Sequence, residues 1–352
     1  MTSVESKTVI NTDGKILFFG LTDFLNNISK GDNCFICGAN PNEKEFNNEH
    51  IIPDWILNKY NLQNKQITLP NGTFIRYGQY KVQCCKDCNT ELGEVYENPI
   101  SRLLNQPYQE IIKEIKGNPE KVHLLFKWLC LIYIKTHLKD KSLLVERDLR
   151  KETGYIADNH YWEDIHHIHC IARSHYTRAI IEANVYGSIF LLPALPLNKH
   201  DKFDYMDSHA GKAVLLQLDE FCIVAVLNDA CAGYSVYLEQ IKKITGPLNT
   251  FQLRQIVAEL NFININLKER PLFHSIFKSD QEYRITATIP ETLYLLEENE
   301  RIITSGQLLR YYVESMIGDV ENKEAILQEI SEGKRNYLFN EKGEFNDYSK
   351  KN

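Results

Sequence analysis

Two cysteine pairs, Cys34-Phe35-Ile36-Cys37 and Cys85-Lys86-Asp87-Cys88, constrain this chain more than any other feature. Each C-x-x-C loop grips one side of a tetrahedral metal, so two such loops far apart in sequence are stapled together by one ion. Gly38 follows the first pair, as a tight knuckle requires. The competing reading, four ordinary cysteines with two in a disulfide, leaves the shared two-residue spacing unexplained. Structural Zn²⁺ on Cys34, Cys37, Cys85 and Cys88 is therefore expected. Cys84 has the wrong spacing from Cys88 and reads as a bystander, the fallback ligand if Cys85 points away. The start, Met1-Thr2-Ser3-Val4-Glu5-Ser6-Lys7, lacks the apolar region of an export signal. Nine cysteines in such a chain point to reduced thiols and metal in the cytoplasm. Cys130, Cys170, Cys222 and Cys231 lie in apolar sequence and read as core packing.

Between the knuckles runs Asn48-Glu49-His50-Ile51-Ile52-Pro53-Asp54-Trp55, and the second knuckle continues as Cys88-Asn89-Thr90-Glu91-Leu92-Gly93. The order C-x-x-C, Glu-His-Ile-Ile-Pro, C-x-x-C-Asn, Gly resembles the HNH endonucleases, whose active site is a ββα-metal finger. The resemblance covers roughly 60 of the 352 residues. It implies that Glu49 binds a divalent cation, Mg²⁺ or Mn²⁺, that His50 is the general base, and that Asn89, at the start of the finger helix, is a second cation ligand. It also implies nucleic acid as substrate, DNA before RNA, and a setting in bacterial (antiviral) defence or a mobile element. The family more often has Asp where this chain has Glu49. Its middle Asn, about five residues before the second cysteine pair, has no counterpart here: that count reaches Tyr80, and Asn71 is the nearest asparagine upstream.

The residue types suit phosphodiester hydrolysis in their own right. An imidazole titrating near neutrality takes a proton from water, and one carboxylate with one amide oxygen holds a hard cation while leaving positions open. Adjacent residues of a regular strand face opposite ways, so Glu49 and His50 serve one phosphate only from a strongly twisted strand or one broken near Pro53. Taken singly, Glu49 reads as a solvated acid and His50 as a structural histidine; the cysteine frame turns both toward catalysis.

The net charge of −7 does not advertise a nucleic-acid binder. Positive charge concentrates locally: residues 110–151 carry ten Lys or Arg against six Asp or Glu, a net of +4. Lys121, Lys127, Lys135, Lys139 and Lys141 follow a helical pattern that reads as a solvated face, with phosphate contact as the group's alternative. Arg76 and Lys81 on a predicted β-ribbon over 66–83, with Lys86, are the candidate nucleic-acid contacts. Glu94 and Glu97 are weaker candidate cation ligands than Asn89, on a helix expected over Glu91–Leu104.

The expected fold is α+β: an N-terminal zinc-stapled module over 1–117 (core 34–104), then a larger mixed domain over 118–352 with a loose polar tail at 333–352. The boundary is placed at Gly117-Asn118-Pro119. Leu124 to Ile134 reads as a buried helix, and no apolar run is long enough to span a membrane. His160, His166, His167, His169 and His175 cluster; on a strand His167 and His169 share a face, a candidate metal or phosphate site, on a helix His166 and His169 do, and surface or interface positions are the default. Beyond lie predicted strands at 187–192, 213–218, 222–227 and 284–289, and helices at 234–244, 250–262 (capped by Asn249), 305–316 and 324–330. This second region carries no recognisable family and is a candidate partner-binding or homo-oligomerising surface. The rival to the nuclease is a zinc-stapled nucleic-acid or protein binding module without catalysis; a nuclease acting on RNA is a further alternative.

Overall fold

The computed structural model describes residues 7–350 except 147, 149, 152, 197–201, 280 and 281. It is a mixed α+β fold with several small sheets, divided into two compact units. One runs through Ala183 and takes in Phe273–Thr286; the other comprises Asn184–Leu272 and the chain from Ala287 onward. The first unit thus continues through a long helix beyond the expected boundary at 117.

The first unit contains a short ββα arrangement. Strand Phe46–His50 pairs antiparallel with Lys81–Cys85, Phe46 opposite Cys85 and His50 opposite Lys81. The inserted ribbon, Gln66–Thr68 with Phe74–Arg76, turns through Gly72, whose φ of 74° suits glycine. The finger helix begins at Lys86, earlier than the expected Glu91, because Cys85 has extended backbone and occupies the N-cap position. Asp87 in its first turn complements the helix dipole. The helical path then widens over Gly93–Glu97 before resuming as Asn98–Leu104. Pro99 supplies the reason: it has no N–H, and its ring would crowd the carbonyl four residues back.

Helix Pro119–Asp140 is buried on most sides, with the Asn118 side chain accepting from the Lys121 amide at 3.3 Å. Helix Glu163–Ala172 follows, then Ser174–Thr177, stopped by Arg178 at φ 57°.

The second unit holds a four-stranded antiparallel sheet in the order 189–193, 221–226, 213–218, 203–208. Asp219, at φ 51°, makes the tight turn between the central strands. Helix Thr250–Ile265 contributes Leu253, Ile256, Val257 and Leu260 to the core. Its predicted cap is present: Asn249 Oδ1 accepts from the Gln252 amide at 3.0 Å and Gln252 Oε1 from the Asn249 amide at 2.9 Å. The segment expected to be a loose tail is instead packed. Leu338 is fully buried, and Gln252 Nε2 donates to the carbonyls of Tyr337 and Asn346. Residues 351 and 352 of that segment, like 1–6 at the start, lie outside the described residues. Among the described residues no helix is long and apolar enough to cross a membrane.

Candidate metal centre and active site

Cys34, Cys37, Cys85 and Cys88 converge: their Sγ atoms all lie within 4.8 Å of one another, and all four residues are buried. A tetrahedron built on Zn–S bonds of about 2.3 Å has edges of about 3.8 Å. The 3.6 Å between the sulfurs of Cys37 and Cys85 fits that figure, so the tetrad suits structural zinc. Cys84 also approaches, its sulfur 3.7 Å from that of Cys34, but it stands outside the tetrad. The sulfurs shift one another strongly. Donors from Cys37, Cys84 and Cys88 pull the Cys34 thiol well below the ordinary range, and hydrogen bonding to Cys34 is the main reason Cys37 is pushed up to about 12. All nine cysteines are free of disulfides.

Helix Glu163–Ala172 and the residue after it hold the first knuckle by its backbone. His169 Nε2 is 2.6 Å from the Phe35 carbonyl oxygen, and Arg173 Nε donates to that of Ile36 at 2.8 Å. His166 Nε2, on the same helix face, lies 2.9 Å from the Phe19 carbonyl oxygen. The helical pairing of His166 and His169 therefore holds, the strand pairing does not, and His169 is buried while His166 is half-buried. Burial of the rings pushes His166 and His175 down to about 4 and His167 to about 3, so these half-buried residues are neutral near pH 7.

Glu49 is buried, 8 % exposed, at the end of the first finger strand. Its Oε1 accepts from Lys135 Nζ at 2.8 Å, and the same ammonium donates to the His50 carbonyl at 2.7 Å. Glu97, carried by the widened helical turn, has Oε1 3.9 Å from Lys135 Nζ. Burial, with Glu49 adding to it against the pull of Lys135, pushes the Glu97 carboxyl up to about 7. Lys135 is wholly buried, so its reading as part of a solvated or phosphate-facing helix surface is overturned. Its neighbours are occupied too: Lys121 pairs with Glu114, and Lys141 with Asp32 at 3.5 Å.

His50 is half-buried and faces Lys81 across the strand pair. Burial first, then the Lys81 charge, lowers its pKa below the usual 6.5, against weaker pulls from Asp54 and Glu49. Its Nε2 is buried and has no hydrogen-bond partner among the described residues. Asn89 Nδ2 donates to Asn47 Oδ1 at 2.7 Å, which ties the finger helix to the first strand. Arg76 is exposed on the ribbon, and exposed Lys86 is paired with Glu45 at 3.2 Å.

Tyr80 stands where the resembled pattern has its middle Asn. Its carbonyl accepts from the Ile51 amide at 3.1 Å, and its hydroxyl lies 2.8 Å from Asp140 Oδ1. The turn after His50 is thus braced by the backbone of Tyr80 and by Lys135. Asn71 is engaged elsewhere, donating to the Leu144 carbonyl. The sequence reading missed Lys135 and Tyr80 as members of this site. The lysine that interrupts the helix's apolar sequence directly after Trp128–Ile134 was the available signal.

No protein-family model matches the chain, and neither a curated protein nor a solved structure matches it.

Proposed function

We propose that the ββα unit is a metal-dependent endonuclease centre, hydrolysing phosphodiester bonds in nucleic acid with DNA as the favoured substrate. The observation that carries this reading is the unpartnered, buried Nε2 of His50, next in sequence to Glu49 and set in a strand pair stapled by a zinc-type tetrad. A buried ring nitrogen without a partner calls for a water or substrate group. Its lowered pKa keeps the imidazole neutral, and so able to accept a proton, near neutral pH. Glu49 and Asn89 supply a carboxylate and an amide, oxygen donors of the kind a hard Mg²⁺ or Mn²⁺ takes. The cation, when bound, contributes positive charge facing the phosphate and a more acidic water. His50 takes the proton of the attacking water. Lys81, opposite His50, and exposed Arg76 offer charge to the nucleic-acid backbone.

One observation favours the rival, a zinc-stapled binding module without catalysis: Glu49 already has a buried ammonium on one oxygen. Cleavage assays separate the two. Wild type and His50→Ala are offered plasmid, linear and single-stranded DNA and RNA, with Mg²⁺, Mn²⁺ or EDTA. The nuclease reading expects metal-dependent cutting that falls by about 10²–10⁴ in His50→Ala at unchanged zinc content, the usual worth of a general base. Cutting that survives the substitution refutes the site; binding of nucleic acid without cutting favours the module.

A further inference from the structure

Arg173 is 1 % exposed, yet among the described residues no carboxylate pairs with it. Its Nε donates to the Ile36 carbonyl and its Nη2 to the Ile16 carbonyl, each at 2.8 Å, and its guanidinium lies 4.4 Å from the centre of the Phe19 ring. Two carbonyls and a ring face solvate the guanidinium but do not neutralise a full charge, and an uncompensated buried charge is strongly destabilising. The groups able to carry negative charge that face it are Cys170, Tyr283, Tyr176 and Cys37; Lys15, His166, His169 and His175 also feel its charge and offer no anion. Burial pushes Cys170 up to about 11 and Tyr176 to about 12, and Tyr283 higher still, so these three are neutral near pH 7. Cys37 belongs to the tetrad. Ile36, whose carbonyl Arg173 holds, lies between the two cysteines of the first knuckle.

We propose that Arg173 is the buried counter-charge of the tetrathiolate centre. Four thiolates around one Zn²⁺ form a dianion, which in an apolar surrounding needs positive charge close by. Lys44 also feels Cys37 and Cys85, but it is partly exposed and pairs with Asp87 at 3.2 Å. Lys15, which feels Cys88, is only half-buried, whereas Arg173 is shielded from water and fixed by its bond to the Ile36 carbonyl within the knuckle. Its charge favours the ionised sulfurs that hold the metal, and withdraws electron density from them, which suits a closed, inert site. The assignment concerns the cysteine tetrad alone and does not depend on the nuclease reading.

The test uses the full chain with Arg173→Gln and Arg173→Lys. Gln keeps a donor for the Ile36 carbonyl but no charge; Lys keeps the charge but lacks the fork that serves both carbonyls. Zinc retention is measured by competition with a colorimetric chelator at fixed pH, with far-UV circular dichroism in excess zinc as the folding check. Charge compensation expects Arg173→Gln to lose zinc affinity by about 10–100-fold, the range seen when the outer partners of metal ligands are changed. Arg173→Lys is expected to stay within a few-fold of wild type. Zinc held by Arg173→Gln as in wild type overturns the assignment. So does an equal loss in both variants, which would mean that the hydrogen bonds matter and the charge does not. If Arg173→Gln does not fold, the Lys variant decides alone: near-wild-type affinity supports the counter-charge, and a large loss overturns it.

Discussion

Lys135 Nζ bonds to Glu49 Oε1 at 2.8 Å across 86 residues of sequence, and both groups are buried. The same nitrogen holds the His50 carbonyl at 2.7 Å, so one ammonium fixes the two adjacent positions on which the proposed chemistry depends. A side-chain bond alone would leave the strand free to roll. A carbonyl bond alone would leave the carboxylate free to rotate. Together they set the strand end and its acid against helix Pro119–Asp140. Glu97 completes a group of two carboxylates and one ammonium, with its carboxyl held up at about 7 chiefly by burial.

Removing one member of a buried ion pair leaves the other charge uncompensated. Lys135→Met is expected to destabilise the first unit by about 3–5 kcal/mol. Tryptophan fluorescence during urea unfolding reads this directly, because all three tryptophans, Trp55, Trp128 and Trp162, lie in that unit. Adding Glu49→Gln to Lys135→Met should recover part of the loss, since the orphaned charge is then gone. A double variant no more stable than the single one would show that packing around the lysine stem matters and the pair does not.

How much of this was legible in sequence depends on whether a residue's role is local. Cys34, Cys37, Cys85 and Cys88 were readable because ligand spacing is a property of short loops. The Asn249 cap was readable for the same reason. Lys135 was misread because helical periodicity assigns a face and cannot report a partner 86 residues away. Strand Phe203–Ser208 was missed because Asp204 and Asp207 disguise its pattern; Asp204 Oδ1 accepts from Arg254 Nη2 at 2.9 Å, a partner far along the chain. His166 and His169 were given surface or interface positions by residue type, although one ring nitrogen of each lies against a distant carbonyl, that of Phe19 or Phe35.

The hydroxyl of Tyr80, bonded to Asp140 Oδ1 at 2.8 Å, anchors the residue whose carbonyl braces the turn after His50. Tyr80→Phe removes that bond while conserving shape. The expected cost is about 1.5–3 kcal/mol, the range for a hydrogen bond to a charged group. If the enzyme reading holds, cleavage should slow through kcat with little change in KM, because the base is displaced and the substrate contacts are not. A variant with wild-type stability would place Tyr80 outside the brace.

The tetrad predicts one zinc per chain by elemental analysis of purified protein. Ser in place of Cys34, Cys37, Cys85 or Cys88 should lose the metal and the tryptophan-monitored unfolding transition with it, since metal affinity and folding are linked. Cys84→Ser should keep the zinc, although its sulfur lies 3.7 Å from that of Cys34. Zinc lost from Cys84→Ser but retained in Cys85→Ser would reassign the ligand.

Acid should loosen the first unit. His166 and His175 are depressed to about 4 and His167 to about 3, with His169 also well below 6.5, in each case first by burial. A histidine with a lowered folded pKa lends stability that is complete above about 6.5 and is lost as pH falls toward the folded value, at about 1.4 kcal/mol for each pH step of one between the two. Glu97 acts in the opposite sense: held at about 7, it gains stability as pH falls from 7 toward 4.5. Four histidines outweigh one such carboxyl, so the tryptophan-monitored urea midpoint should fall between pH 7 and pH 5. Thiolate protonation also releases metal over this range, which makes a single-residue comparison necessary. His166→Gln leaves the tetrad untouched and keeps a donor for the Phe19 carbonyl, so its midpoint should fall less steeply, by about one proton's worth of slope. A midpoint that rises on acidification would mean that the gain at Glu97 dominates and that the histidines are not the acid-sensitive groups.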